Sequence, residues 1–209
     1  MKSVEKSPVP LALLISGRGS NLGAVVDAIA GGSLRARIAV VISNRAEAAG
    51  LERARAAGIE TRVMPHGAYA SREDYDRALV AELRARGVAL VILAGFMRRL
   101  GPLFCDAFPH AILNIHPSLL PAFPGTHAQR QALAHGVKVS GATVHFVTPE
   151  LDAGPIVMQE AVPVRDDDTE ETLAARILTV EHRLYPAAIQ RVIDRRWRIE
   201  HRRVVFEGA

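Results

Sequence analysis

Short apolar runs alternate with helix-patterned segments, and this constrains the fold more than any other feature of the chain. Residues 9–15, 38–42, 88–93 and 111–115 are near-continuous apolar stretches, short enough for strands buried on both faces. A weaker run at 59–64 reads as a further strand. Between these runs, 21–30, 46–57 and 97–108 read as helices, the second ending at Gly58 as a C-terminal cap. Ser71-Arg72-Glu73-Asp74 opens another helix with Ser71 as cap and an apolar stripe of Tyr75, Leu79 and Leu83. Strands alternating with helices predict an α/β fold: a mostly parallel sheet with helices on both faces. After a helical segment at 126–135 the pattern changes. Residues 140–147 and 156–164 read as an antiparallel pair late in the chain. Asp168-Thr169-Glu170-Glu171 then caps a long helix whose stripe is Leu173, Ile177, Val180 and Leu184. The expected organisation is one domain over residues 9–209, preceded by a flexible leader, 1–8.

Composition narrows the class of function. A chain of 209 residues with 49% hydrophobic and 23% charged residues is ordinary for a soluble globular domain. No apolar run approaches the roughly 20 residues that span a bilayer, and the leader lacks a signal peptide's apolar segment. The single cysteine, Cys105, lies between Phe104 and Phe108; it excludes an internal disulfide and reads as a core residue in a reducing cytoplasm. A net charge of +4 is modest, and its densest part, Arg191, Arg195, Arg196, Arg198, Arg202 and Arg203, reads as the solvated face of a terminal helix and strand. With only Trp197 among those arginines, base stacking has no platform, so neither a nucleic-acid nor a membrane partner is expected.

Two motifs carry chemistry. The first apolar run leads directly into Ser16-Gly17-Arg18-Gly19-Ser20-Asn21-Leu22, ahead of a helix. Glycines admit a ligand close to the backbone, and a helix N-terminus adds free amides and partial positive charge, so this loop suits a phosphate. Gly17, Gly19 and Gly23 miss the dinucleotide fingerprint by one residue, and the second strand ends in Ser43-Asn44 rather than an acidic residue. A lone phosphate or phosphoribosyl group fits better than NAD or ATP, although a tight turn alone would use the same glycines. The second motif is Asn114-Ile115-His116-Pro117. Asn114 and His116 project to one side of an extended backbone, and Pro117 ends it there. An amide beside an imidazole can polarise a carbonyl and move a proton. Asp152, in Asp152-Ala153-Gly154-Pro155, is the best supporting carboxylate; a turn-forming Asp bonding its own backbone is the competing reading. No His-Glu-x-x-His, zinc-spaced cysteine set or Gly-x-Ser-x-Gly elbow is present, so no metal or serine nucleophile is expected. His66, His110 and His201 read as surface residues and His145 as a core histidine, while His127 could face the site.

Together these motifs resemble the folate-dependent formyltransferase family. The resemblance runs from about Leu11 to Trp197 and adds Leu93-Ala94-Gly95-Phe96-Met97-Arg98, Val144-His145-Phe146-Val147 and Glu181-His182 to those above. It implies a Rossmann-like formyltransferase fold and direct formyl transfer from 10-formyltetrahydrofolate to an amine, with neither a metal nor a covalent intermediate. The phosphate loop resembles that of the branch acting on a phosphoribosylglycinamide in purine synthesis. On this resemblance Asn114 and protonated His116 would stabilise the oxyanion, with Asp152 holding and orienting His116. Gly19, Ser20 and Asn21 would bind the phosphate and Glu181 the glycinamide end. The folate would lie along Met97, Arg98, Arg99 and Leu100 and the loop Thr148, Pro149, Glu150, Leu151 and Asp152, touching Asn114, with Arg72 near its polar end. Arg99 stands where an apolar residue is expected. The protein would be a cytoplasmic monomer or weak homodimer acting on small molecules. A formyltetrahydrofolate deformylase, a transfer-RNA formyltransferase and a non-catalytic phosphoribosyl-binding module are the alternatives; the short leader and the 198–209 tail leave little room for the extra domains of the first two.

Overall fold

A computed structural model describes residues 7–208, so most of the expected leader lies outside the described residues. The sheet comprises β1 (Val9–Ile15), β2 (Ala36–Ser43), β3 (Thr61–Val63), β4 (Leu90–Leu93), β5 (Ile112–His116), β6 (Val139–Phe146), β7 (Ile156–Pro163), β8 (Trp197–Glu200) and β9 (Arg203–Phe206). Its order is β3-β2-β1-β4-β5-β6-β7-β9-β8. The first five strands pair in parallel, and β6 turns the sheet antiparallel against β5 and β7. The helices are α1 (Ser20–Ala30), α2 (Gly50–Ala56), α3 (Arg72–Ala85), α4 (Pro102–Ala107), α5 (Ala128–Ala134) and α6 (Glu170–Asp194).

The apolar runs behave as strands buried on both faces. Along β1, Leu11, Leu13 and Ile15 pack with Leu22 and Val25 of α1 and Leu173 and Ile177 of α6. The alternate residues Ala12 and Leu14 pack with Tyr75, Leu79 and Leu83 of α3 and Phe104 of α4. Side chains on a strand point alternately to opposite faces, so one apolar run supplies both cores. The caps form as expected. Ser71 Oγ accepts from the Asp74 amide, and Thr169 and Thr172 bond each other's amides at the start of α6. Cys105 is buried in the second core.

Three expectations differ from the structure. Residues 97–101 form a non-helical strap, and the helix expected over 97–108 is confined to α4. Gly95, at φ 79°, turns the chain out of β4, and Pro102 at the first helical position starts α4 late. The helix expected at 46–57 begins only at Gly50, whose amide donates to the Gly17 carbonyl. The third strand shrinks to three residues at the sheet edge. The terminal arginines lie, as expected, at the end of α6 and on the β8–β9 hairpin, mostly exposed, and several also have partners. Arg191 covers the Phe206 ring at 4.2 Å, and Arg198 pairs with Glu200 at 2.7 Å.

This topology places the functional loops. From β1 the chain moves outward through β2 to β3, whereas β4 and β5 lie on the other side of β1. Such a reversal opens a crevice at the carboxyl ends of the strands. The phosphate loop, the strap and His116 follow or end β1, β4 and β5, so all three meet there.

Candidate active site

The glycine loop at 16–22 is built by close backbone packing. Gly19 caps α1 at φ 70°, and a Cβ there would lie 2.7 Å from the Gly50 Cα. The first amide bonded within the turn is that of Gly23, to the Gly19 carbonyl, so the amides of Ser20, Asn21 and Leu22 precede the helix's bonding pattern. Those amides and the helix dipole make an anion-binding end. The Asn21 side chain is committed elsewhere: its Nδ2 donates to Glu181 Oε2 at 2.8 Å in a buried pair. Asn21 therefore offers a phosphate its backbone amide. Glu181 is 7% exposed, and burial holds its carboxyl above the usual carboxylate range, partly offset by the bond from Asn21. One turn further along α6, the buried Tyr185 hydroxyl lies 3.0 Å from the Leu93 carbonyl and 2.9 Å from that of Leu113, which ties Glu181's helix to β4 and β5.

Asn114 and His116 occupy one side of β5, as their spacing predicts, and the antiparallel partner β6 sets His145 opposite Asn114 and Thr143 opposite His116. Burial pushes the His145 imidazole below its ordinary value, towards the neutral ring. With its Nδ1–H on the Phe146 carbonyl at 2.9 Å, its Nε2 accepts from Asn114 Nδ2 at 3.2 Å. His145 is thus a satisfied core histidine, as expected, but its partner is Asn114. A purely structural role misses this pairing, because only strand register brings the two residues together.

Asp152 reaches the same cluster from the loop between β6 and β7. Its φ is 48°, and Gly154 lets the loop pass so close to β6 that a Cβ would lie 1.7 Å from the Phe146 carbonyl. The carboxylate serves more than its own turn: Oδ2 accepts from the Gly125 amide at 2.7 Å and lies 3.4 Å from His116 Nδ1, while Oδ1 lies 3.8 Å from His145 Nε2. His116 Nε2 faces the Phe123 carbonyl at 2.8 Å. Both His116 nitrogens therefore face protein oxygens, and the half-buried Asn114 amide retains a second N–H. Thr143 Oγ1 steadies the intervening loop by donating to the Ser118 carbonyl at 2.7 Å and accepting the Leu120 amide at 3.0 Å. His127 does not join the cluster; it is an exposed residue 3.7 Å from Glu170. His66, His110 and His201 are exposed.

The strap at 97–101 and the loop at 148–152 meet through one hydrogen bond, from Arg99 Nη2 to the Pro149 carbonyl at 3.1 Å. Met97 of the strap and Leu151 of the loop are large apolar side chains that remain 68% and 50% exposed. Arg98 lies over the Tyr75 ring at 4.7 Å, and Arg72 begins α3 beside Gly101. Leu100 is buried in the second core, so only its backbone is available to a ligand. The phosphate loop joins the strap through Ser16: its Oγ donates to Asn44 Oδ1 at 2.6 Å and accepts the Met97 amide at 2.8 Å. The Asn44 position, unsuited to a dinucleotide ribose, is spent on this brace. Residue type alone held no signal for Ser16, Asn44 or Tyr185. No group of three or more metal-ligating side chains occurs among the described residues, and no described helix is long and apolar enough to cross a membrane.

Residues 9–189 match the formyl transferase family model. The chain belongs to the formyl transferase family. It is 46% identical over 198 residues to phosphoribosylglycinamide formyltransferase of Escherichia coli, a match covering 95% of this chain and 93% of that protein. It is 48% identical to a stretch of the human trifunctional purine biosynthetic protein adenosine-3, covering 91% of this chain but 19% of that protein. Among solved structures, glycinamide ribonucleotide transformylase 1 from Symbiobacterium toebii superposes with a TM-score of 0.95 at 54% identity, covering 97% of this chain and 95% of that one. This formyl transferase is therefore an enzyme of the fold those relatives share, and its family implies a folate-derived formyl donor.

Proposed function

We propose that this formyl transferase moves the formyl group of 10-formyltetrahydrofolate to the glycinamide amine of N1-(5-phosphoribosyl)glycinamide in purine biosynthesis. The observation that carries the reading is the gathering of Asn114, His116 and Asp152 at the end of β5, at the same carboxyl edge of the sheet as the free amides that begin α1. The relatives' names support the acceptor. In this reading the backbone of Gly19, Ser20 and Asn21 takes the phosphate, and Glu181 takes the glycinamide end. Met97 and Leu151 flank the ring system, together with the backbone of Leu100 and the Thr148–Asp152 loop. Arg72, Arg98 and Arg99 lie towards the donor's anionic end.

The amine nitrogen attacks the formyl carbon, and the carbonyl pair moves onto oxygen. Asn114 Nδ2 keeps one N–H on His145, which aims the other at that oxygen; such donors contribute on the order of 10²–10³ in rate. His116 adds a second donor when its Nε2–H leaves the Phe123 carbonyl for the oxyanion. Asp152 anchors Nδ1 of the same ring and accepts the proton shed by the amine. Collapse restores the carbonyl, breaks the bond from carbon to N10 and delivers a proton to N10, releasing tetrahydrofolate. The substrates hold the reacting atoms together, which supplies the entropic part of the catalysis. The protein would act in the cytoplasm on small molecules, as a monomer or weak homodimer.

The test mixes the purified protein with 10-formyltetrahydrofolate, with and without the ribonucleotide, and follows tetrahydrofolate release. Release should depend on the ribonucleotide, with only slow hydrolysis in its absence. Equally fast release without it would replace transfer by hydrolysis.

A further inference from the structure

We propose that Arg99 is a latch across the donor cleft that sets how long the folate stays bound; the inference rests on the donor reading above and deepens it. The strap and the loop that the donor reading sets on either side of the folate hang from different strands. The strap leaves β4 and the 148–152 loop follows β6, with β5 between them in the sheet. Each wall is fixed at its root. The strap is held by the Met97 amide on Ser16 Oγ and by the Gly101 amide on the carboxylate of Asp76, a residue 1% exposed, at 2.7 Å. The opposite loop is held by Asp152 on the Gly125 amide and by Arg202, which donates to the Ala153 carbonyl at 2.9 Å.

Across the gap, one hydrogen bond joins strap to loop among the described residues: Arg99 Nη2 donates to the Pro149 carbonyl at 3.1 Å. Arg99 is exposed, and among the described residues its guanidinium makes no other side-chain hydrogen bond. An apolar residue at this position, the type the family resemblance implies, has no N–H to give that carbonyl. Arginine carries five donors on a long stem, so it can span the cleft and still keep donors free for an anionic ligand. With both roots fixed, opening the cleft for a flat ring system to leave requires this bond to break, and the departure of a ligand behind such a closure often limits turnover.

The test measures tetrahydrofolate dissociation from the full-length protein by stopped-flow displacement, for the wild type, Arg99→Ala, Arg99→Leu and Arg99→Lys. The two variants without a donor should release tetrahydrofolate about 2- to 10-fold faster, the factor carried by one net hydrogen bond, and Arg99→Lys should recover part of the difference. Melting temperature and ribonucleotide affinity should stay at wild-type values, which separates a latch from a general structural role. Unchanged or slower release from Arg99→Ala, with the wild type binding normally, would overturn the latch alone. Failure of the wild type to bind tetrahydrofolate would overturn the donor reading and the latch with it.

Discussion

A buried carboxylate costs stability wherever it is ionised, and Glu181 allows that cost to be measured. Glu181 accepts from Asn21 Nδ2, while Asn21 Oδ1 is buried without a hydrogen-bond partner. Glutamine at position 181 keeps an oxygen to accept the Asn21 bond and adds an amide N–H for the unpartnered Asn21 oxygen. A buried unsatisfied polar group costs about 1–3 kcal/mol, so Glu181→Gln should stabilise the protein by about that amount. For a chain of this size the melting temperature should rise by about 2–10 °C. The gain depends on pH. Burial raises the folded-state pKa of Glu181 above its unfolded value. Its contribution is therefore fully present below the unfolded pKa and is lost as pH rises through the folded pKa. The substituted amide does not titrate, so the advantage of the variant should be smallest near pH 4 and largest near pH 8, on either side of the carboxyl's titration. Urea unfolding of both proteins at the two pH values measures the difference. The same variant should raise KM for the ribonucleotide about 10-fold or more while leaving donor binding unchanged, because the lost charge faces only the acceptor. A variant less stable than the wild type at pH 8, or an advantage that shrinks as pH rises, would refute the reasoning.

Replacing His116 or Asp152 by alanine should lower turnover at least about 10²-fold with the fold intact by circular dichroism, and near-normal turnover in either variant would remove that residue from the mechanism. Gly19→Ala meets a left-handed backbone and the Gly50 Cα at 2.7 Å, so it should cost about 1–3 kcal/mol in urea unfolding and weaken ribonucleotide binding more than donor binding. His145→Phe removes the acceptor that aims Asn114; single-turnover rates should fall about 2- to 10-fold with little change in either KM. Inorganic phosphate and the ribonucleotide should each raise the melting temperature, and NAD and ATP should do no better than phosphate at equal concentration. Stronger protection by NAD would restore the dinucleotide reading of the glycine loop.

Much of this architecture is legible in local pattern. The apolar runs become β1, β2, β4 and β5 because a strand buried on both faces must be apolar throughout. The caps at Ser71 and Thr169 follow from side-chain oxygens reaching amides three residues on. Asn114 and His116 share a side because strand periodicity is two. The strap at 97–101 was less legible: its residues favour a helix, but the turn at Gly95 and the bonds from Met97 to Ser16 and from Gly101 to Asp76 override that preference with partners remote in sequence.

What the sequence determined by itself is the class of sheet, the glycine-built turn ahead of α1 and the residue types available for chemistry, because each depends on neighbours within one or two turns of chain. Tertiary structure alone decided who meets whom. Register across β5 and β6 set His145 on Asn114, the 149–155 loop carried Asp152 to His116, and α6 laid Glu181 against Asn21 across 160 residues. Those meetings depend on packing two cores against one sheet, and contacts so distant along the chain leave no periodic trace in the local sequence.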